Sequence, residues 1–245
     1  MSLWRIYLVE AKYECLRMLR APGFSIPFLG LPVLLYLLFG VLIFGNAARS
    51  DPSVGKFLFG AFAVVGVAGV GMFGFGVGLA IEREQGYLRF KRALPMPPAA
   101  HLVAKVAMAM LFALLIVITM TAAAVPFGHL ALTAGELFRF AAVCVLGSVA
   151  FCAAGLCIGA RVSARAAPAV VNLVYLPMLH LGGLFYPLPA FLAAAAPIWP
   201  VYHLHQLALA ALGAPHRGES AIHVAILAAE ALVFGLLAIR RRDHD

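Results

Sequence analysis

Side chains that could carry out chemistry are sparse in this sequence of 245 residues, and their spacing fits no catalytic pattern. The most suggestive group is the pair His203 and His205, with His180 earlier in the chain. A zinc site takes three or four ligands, and no carboxylate or other third ligand has a matching spacing here. The chain also has no serine nucleophile elbow and no HExxH motif. We therefore predict neither a catalytic residue nor a metal site.

A phosphate-binding loop is missing as well. Gly55-Lys56 lacks both the preceding glycine and the following hydroxyl residue of the motif GxxxxGK[ST]. Cys15 lies in the N-terminal segment, and the other three cysteines share one apolar run: Cys144, Cys152 and Cys157. Cysteines scattered over apolar segments are usually packing residues. We expect no cofactor in this chain.

The composition predicts a membrane protein. Hydrophobic residues make up 64% of the chain, charged residues 11%, and the mean hydropathy is +1.00. A soluble domain is about half apolar and about a quarter charged. Because the apolar residues form long uncharged runs, we predict an all-α integral membrane protein. Crossing the hydrocarbon core takes about 20 residues, and six segments are predicted to do so: 25–45, 57–81, 103–125, 138–160, 168–187 and 221–239.

The basic residues predict the orientation of these spans. Alternating spans place fourteen of the 18 lysines and arginines on one side, and positive charge concentrates on the cytoplasmic side of membrane proteins. Both termini are therefore predicted to be cytoplasmic. The net charge of +8 then indicates contact with anionic lipid headgroups of the bilayer, and no nucleic-acid partner is expected.

The most charged stretch is Glu82–Pro98, which reads EREQGYLRFKRALPMPP. It begins where the second predicted span ends, contains a basic cluster, and finishes in prolines. This pattern predicts a short amphipathic helix held at the membrane surface. Such a segment could meet a soluble partner, or it could be only a basic cytoplasmic loop that follows the positive-inside bias.

The first 22 residues are predicted to form another surface helix. The basic residues lie elsewhere on a helical wheel than the apolar residues, which fall near one side: Trp4, Leu8, Ala11, Cys15, Met18 and Leu19. This distribution is typical of an amphipathic helix that lies on the cytoplasmic leaflet. Ala21-Pro22-Gly23 then ends the helix and turns the chain into the bilayer.

The charged stretch is similar to a segment of ABC-2 type transporter permeases. The matching residues are Glu82-Arg83-Glu84, Gly86, Leu88, Leu94, Pro95 and Met96. In that family the segment is the coupling helix that docks on the ATPase subunit. The N-terminal helix resembles the connecting helix of the family, with Glu14, Arg20 and Pro22 as matching residues. The resemblance implies these ATPase-coupling residues: Glu82, Arg83, Glu84, Gly86, Leu88, Arg89, Leu94 and Pro95.

A second resemblance lies in residues 185–206, between the fifth and sixth predicted spans. Its prolines predict short re-entrant or interfacial helices on the outer side instead of a seventh span. Many family members have an arginine a few residues after the histidine of this segment, whereas this chain continues with Gln206-Leu207-Ala208-Leu209. The residues that match the family pattern are Phe185, Tyr186, Pro187, Leu188, Pro189, Pro197, Pro200, Tyr202 and His203.

Four polar residues within the predicted spans are candidates for a translocation path. Asn172, Tyr175 and His180 fall loosely on one side of the fifth span, and Glu230 is the one acidic residue well inside a predicted span. A polar side chain at bilayer depth usually faces the helix bundle or a pathway, because hydrocarbon cannot satisfy it. A hydrogen bond that merely joins helices, or a protonated structural carboxyl group, explains them equally well.

The second predicted span is rich in glycine. Gly74 and Gly78 form a GxxxG motif, which lets another helix backbone approach closely. The close approach could be packing within one subunit or a contact between two subunits.

The resemblance covers nearly the whole chain, as a single transmembrane domain over residues 1–245. It implies a permease subunit of an ABC exporter in the cytoplasmic (inner) membrane, working as a homodimer with a separate ATPase subunit that binds ATP and Mg. Closure of that ATPase would act through Glu82–Pro95 to give alternating access. Two alternatives remain open: a membrane enzyme acting on lipid-linked substrates, and a non-transporting accessory or immunity protein of the same fold. No particular substrate is predicted.

Overall fold

The computed structural model describes residues 3–93, 96–97, 99–127, 130–186 and 188–242, without the side chains of Arg89, Arg92 and residues 239–242. Within these ranges the regular structure is entirely helical. The helices are α1 (Leu3–Leu19), α2 (Pro22–Leu35, continuing as π-helix over Tyr36–Ile43), α3 (Gly45–Ser50), α4 (Pro52–Glu84), α5 (Tyr87–Ala93), α6 (Ala100–Phe127), α7 (Ala134–Gly159), α8 (Ala167–Leu181), α9 (Ala190–Ala193), α10 (Pro200–Ala211) and α11 (Ser220–Arg242).

Five helical segments are long and apolar enough to cross a membrane. They correspond to the first four and the last of the predicted spans, with ends that differ by a few residues. They are Pro22–Ile43, Pro52–Glu84, Ala100–Phe127, Ala134–Gly159 and Ser220–Ala238.

The fifth predicted span, 168–187, differs from the expectation. α8 has 15 residues, which makes it roughly 22 Å long, whereas the hydrocarbon core is about 30 Å thick. The helix ends at Leu181 because Gly182 and Gly183 turn the chain, and Gly183 has a φ of +72° that other residues rarely adopt. Six complete spans therefore stay a prediction.

The long helices alternate in direction along a common axis. α4 runs from Pro52 to Glu84, and we name the two ends of the bundle the Pro52 end and the Glu84 end. α2 is antiparallel to α4, because Phe28 packs at Gly69 and Tyr36 packs farther along, against Phe59. α7 and α11 end at the Glu84 end, where Arg161 of the loop after α7 donates a hydrogen bond to the carbonyl of Leu237.

α4 is the central helix, and several of its glycines, among them Gly66, Gly71 and Gly76, pack closely against other helices of the same chain. Most of its residues are buried, and it contacts α2, α6, α7, α8 and α10. A side chain at Gly71 would lie 2.6 Å from Cβ of Phe151, and one at Gly155 would lie 2.7 Å from the carbonyl oxygen of Gly71. α4 and α7 thus approach so closely that glycine is needed on both helices. Cys144 and Cys152 of α7 are buried in the same core, as expected of packing residues.

α8 and α10 both pack against α4, each along a different part of its length. Tyr175 of α8 reaches the carbonyl of Val65, in the middle of α4, at 2.7 Å. His205 of α10 packs edge-on against Phe57, nearer to the Pro52 end. The chain leaves α8, forms α9 and a 3-10 turn (Ala196–Ile198), and returns into the bundle as α10, which is buried along most of its length.

Candidate functional site: a buried charge network at the Glu84 end

Glu82 occupies the centre of a network of charged side chains. It lies on the last turn of α4, and only 3% of its surface is exposed. Its Oε1 accepts hydrogen bonds from Lys105 Nζ at 2.9 Å and from Arg17 Nη2 at 2.6 Å. Its Oε2 accepts one from His101 Nε2 at 3.1 Å. Glu82 therefore joins α1, α4 and α6.

Glu14 of α1 is the second buried carboxylate. Its Oε1 accepts hydrogen bonds from Lys105 Nζ at 2.9 Å and from Arg17 Nη2 at 2.7 Å. Lys105 is fully buried and bridges Glu14 to Glu82. Arg17, whose side chain is partly exposed, makes the same bridge from the other side.

This packing orients α1 in a way that the apolar pattern does not indicate. The helix lies on α6, and its buried side carries Glu14 and Met18. Of the predicted apolar side, Met18 is buried, whereas Trp4 and Leu8 are exposed. The buried position of Glu14 is possible because Lys105 and Arg17 compensate its charge. An α1 that lies on the lipid surface through Trp4 and Leu8 stays a prediction.

Lys91 attaches α5 to the same network. Its ammonium group pairs with the carboxylate of Glu10 on α1 and lies 3.0 Å from Nδ1 of His101. A carboxylate can only accept, so His101 must donate through Nε2 to Glu82, which leaves Nδ1 to accept from Lys91. The imidazole thus bridges Lys91 of α5 and Glu82 of α4 through one hydrogen bond at each ring nitrogen.

The network is electrically balanced. Three carboxylates face three cations when the imidazole is neutral: Glu10, Glu14 and Glu82 against Arg17, Lys91 and Lys105. Burial alone would raise the pKa of Glu14, but Lys105 and Arg17 lower it below its usual value. Burial, with Lys105 nearby, lowers the pKa of Lys91 to about 8. Loss of one member of a buried ion pair typically costs about 3–5 kcal/mol, because the remaining charge is left uncompensated.

Arg83 and Glu84 point away from the network, to the loop between α7 and α8. Arg83 donates from Nη1 to the carbonyl of Ala160 at 2.5 Å and from Nη2 to the carbonyl of Val162 at 2.6 Å. Glu84 Oε1 accepts from the backbone N–H of Ala164 at 2.8 Å. These contacts satisfy backbone groups at the C-terminus of α7. The three consecutive charged residues therefore bind two different parts of the molecule.

The rest of the predicted coupling segment forms a turn and the seven-residue helix α5. Gly86 has a φ of +73°, which lets the chain reverse between α4 and α5. Leu88 packs against the core, whereas Phe90 is 61% exposed and Tyr87 is partly exposed. Leu94, Pro95 and the side chain of Arg89 lie outside the described residues.

The polar residues of the fifth predicted span do not share one side of α8. Asn172 and His180 are exposed and lie with Leu176 on one stripe, at a spacing of four residues. Tyr175 is buried against α4, and its hydroxyl group donates a hydrogen bond to the backbone carbonyl of Val65. The prediction of one side was wrong for Tyr175, because the five positions from 175 to 180 turn a helix by about 140°.

Glu230 is separate from that stripe. It is half-buried on α11, which packs on α7 and α10. Its Oε2 is buried and has no hydrogen-bond partner among the parts of the chain that the structure describes.

The segment 185–206 forms the re-entry at the Pro52 side of α8. Tyr186 is exposed, Pro197 lies in the 3-10 turn, and Pro200 begins α10. His203 is buried, with Nε2 donating to the carbonyl of Pro197 at 2.8 Å and Nδ1 lying 2.8 Å from Nδ1 of His223. Tyr202 packs against the rings of both histidines. Pro187 lies outside the described residues.

Sequence reasoning missed the partners of Glu82. It treated Lys105 only as a basic residue near the start of the third span, and it did not consider His101 or Glu10 as site residues. A lysine inside an apolar run was the available signal, since an unpaired charge there is costly. In the described part of the chain, no group of three or more His, Cys, Asp or Glu side chains is arranged to hold a metal ion.

These features are those of a multi-pass, all-α integral membrane protein with a charged surface helix after its second long apolar helix. Residues 7–211 match the sequence profile described as ABC-2 type transporter. The chain therefore belongs to the ABC-2 type transporter family. That family supplies the transmembrane component of ABC transporters and is not itself catalytic. Among curated proteins, no significant match to this chain was found.

Proposed function

We propose that this chain is the permease subunit of an ABC exporter, and that a separate ATPase subunit binds and hydrolyses ATP with Mg. Membership of the ABC-2 type transporter family supports the permease role. The observation that carries the coupling role is the attachment of α5, one turn after the end of α4, to α1 and α6 through Lys91. The last turn of α4 in turn binds α1 and α6 through Glu82 and the loop after α7 through Arg83 and Glu84, so a displacement of α5 would act on all of these parts.

The exposed side of α5 is the surface we propose for docking of the ATPase. Phe90 and Tyr87 face outwards there, although neither is among the coupling residues that the resemblance implied. Burial of exposed aromatic side chains would supply affinity. The three charged residues then have a different role, which is to pass the displacement of α5 into the helix bundle.

The loop held by Arg83 and Glu84 leads directly into α8. This helix carries the exposed stripe of Asn172, Leu176 and His180. A polar stripe on a helix inside a membrane suits a pathway or a contact with another subunit better than lipid. We therefore propose that two copies of the chain assemble as a homodimer, with this stripe facing the translocation path, and that export follows alternating access.

The proposed location is the cytoplasmic (inner) membrane, with both termini in the cytoplasm. The excess of basic residues at the Glu84 end supports this orientation. The proposed ATPase would then reach α5 from the cytoplasm, where ATP is available.

Affinity purification in mild detergent tests the partner. We expect a stoichiometric polypeptide with a P-loop to co-purify, and its ATP hydrolysis to depend on the permease. An intact permease that purifies without any such polypeptide would contradict the proposal.

Charge reversal tests the coupling contacts. In Arg83→Glu and Glu84→Lys, we expect ATP hydrolysis to be uncoupled from transport while folded protein remains in the membrane. Lys12→Glu is the matched control, because Lys12 is exposed on α1 at the same end of the bundle. Wild-type coupling in both reversed variants would count against the role of the loop after α7.

A further inference from the structure

Two adjoining cavities lie at the Pro52 end, behind the re-entrant segment. The first has a volume of about 280 Å³, and its polar lining consists of Tyr186, Tyr202, Gln206, His216 and Arg217. The second has a volume of about 340 Å³. Phe57, Leu209 and Pro215 line both cavities, so the two spaces adjoin at these three side chains.

The lining of the two cavities is different in character. In the first cavity, a guanidinium, an imidazole, an amide and two phenols line one space, and none of its described lining residues is acidic. In the second, the lining is almost entirely apolar and includes Phe44, Val54 and Leu58. One compartment suits an anion, and the other suits a hydrocarbon chain.

Arg217 is held in place by two buried polar side chains. Its backbone N–H donates to Gln206 Oε1 at 2.7 Å, and its carbonyl accepts from His223 Nε2 at 2.7 Å. Gln206 is 8% exposed and His223 is 5% exposed. Two buried hydrogen bonds at one loop residue fix its backbone before any ligand arrives, so the loop does not have to become ordered on binding.

The same support extends to the re-entrant segment. His223 contacts His203 at 2.8 Å, and His203 donates to the carbonyl of Pro197. Within the described part of the chain, the guanidinium of Arg217 itself forms no hydrogen bond or ion pair, so its donors are available to a ligand. An arginine with a fixed backbone and free guanidinium donors, among the lining residues of a cavity, is suited to binding phosphate or carboxylate.

We propose that these two cavities form one binding site for an anionic amphiphile. Its phosphate or carboxylate group binds at Arg217, near His216 and the tyrosine hydroxyls. Its hydrocarbon chain passes Phe57 and Leu209 into the apolar cavity. The site is complete within one chain, so binding requires neither the ATPase nor the permease role proposed above.

Photo-crosslinking tests this site in the full chain, reconstituted in phosphatidylcholine nanodiscs without any ATPase. The probe is dodecyl phosphate with a diazirine in its hydrocarbon chain. We expect labelling of the apolar cavity, around Val54, Leu58 or Leu209, and competition by unlabelled dodecyl phosphate. Methyl phosphate, which has only the head, and dodecanol, which has no charge, should compete at least about tenfold less well, because each uses one compartment only.

Two variants address the two compartments. Arg217→Gln should reduce labelling about tenfold or more, since a charge-assisted hydrogen bond is lost. Arg139→Gln is the matched control, because Arg139 is an exposed arginine on α7 toward the same end of the bundle. Val54→Trp should reduce labelling by the dodecyl probe but leave a hexyl phosphate probe bound, because the tryptophan side chain fills only the apolar cavity. Thermal unfolding of each variant checks that it folds.

Several outcomes would overturn the proposal. They are equal labelling in Arg217→Gln and wild type, equal competition by dodecanol, and labelling spread over the outer surface of the helices. Phosphatidylglycerol added to the nanodiscs identifies the source of the ligand. If it competes with the probe, the ligand is a bilayer lipid; if only the single-chain phosphate competes, the ligand is a free amphiphile.

Discussion

The two ends of the helix bundle differ in how completely their buried and cavity-lining charged side chains are paired. At the Glu84 end, six charged residues from α1, α4, α5 and α6 compensate one another, and Lys105 is completely buried among them. At the Pro52 end, Lys56 pairs with Glu136 and donates to the carbonyl of Leu212, but Arg217 keeps its guanidinium free beside a cavity. Paired charges favour a rigid mechanical connection, whereas a charge without a described partner, on a loop with a fixed backbone, favours ligand binding.

The difference predicts which arginines and lysines stabilise the fold. A charge inside the network should be indispensable to stability, and a charge at the cavity should be dispensable to it. The following substitutions test this contrast, beginning with the largest expected effect.

Removal of Lys105 should have the largest effect. Lys105→Ala removes the fully buried cation shared by Glu14 and Glu82 and leaves the partly exposed Arg17 as the other bridge, and we expect a loss of about 3–5 kcal/mol in the free energy of unfolding. Chemical denaturation of the purified protein in detergent measures the loss. Lys12→Ala, an exposed lysine on α1, should change stability little; if the two variants behave alike, Lys105 does not hold the network together.

Removal of Arg83 should have a smaller effect. Arg83→Ala breaks two charge-assisted hydrogen bonds to the carbonyls of Ala160 and Val162, each worth about 1.5–3 kcal/mol when buried. The site is partly exposed, so we expect a total loss near the lower value. The loop after α7 should also become more accessible to hydrogen exchange, and unchanged exchange there would show that other contacts hold this loop.

Acidification should weaken the network through Glu14. The folded-state pKa of Glu14 is lowered, so its carboxylate stabilises the fold above its usual pKa, and that contribution is lost as the pH falls through the lowered value. We expect the thermal stability of the wild type to fall on this acid limb more steeply than that of Glu14→Gln. Parallel curves for the two proteins would mean that Glu14 contributes nothing to the pH dependence.

Removal of the Arg217 charge should have the smallest effect on stability. Its side chain has no described partner, so Arg217→Gln should change the free energy of unfolding by no more than about 0.5 kcal/mol. Thermal unfolding in the absence of amphiphile measures it. A loss as large as that of Lys105→Ala would erase the contrast between the two ends.

Much of this architecture follows from sequence pattern. Five of the six predicted spans correspond to long apolar helices, because uncharged runs of this length have few alternatives. The turn at Gly86 and the surface helix after it also follow from local composition. The break of the fifth span at Gly182 was hidden, because the run stays apolar through Phe185 and periodicity alone does not reveal a turn.

The network and the cavities depend on tertiary contacts that local patterns do not encode. Glu14, Glu82 and Lys105 are far apart in sequence, and they meet only because α1 lies on α6. For the same reason, the burial of Glu14 on α1 was not predicted, since its ion-pair partner Lys105 lies on another helix. Arg217 was counted only as a basic residue of an outer loop, and its two backbone hydrogen bonds come from separate helices.

The central claim is that the exposed side of α5 docks on an ATPase, and crosslinking from Phe90 tests it most directly. Phe90→p-benzoylphenylalanine should form an ultraviolet-dependent crosslink to a polypeptide with a P-loop. The same substitution at Phe138, which is even more exposed and lies toward the Pro52 end, should form none. A crosslink to such a polypeptide from Phe138 but not from Phe90, or from neither while the ATPase co-purifies, would contradict the account.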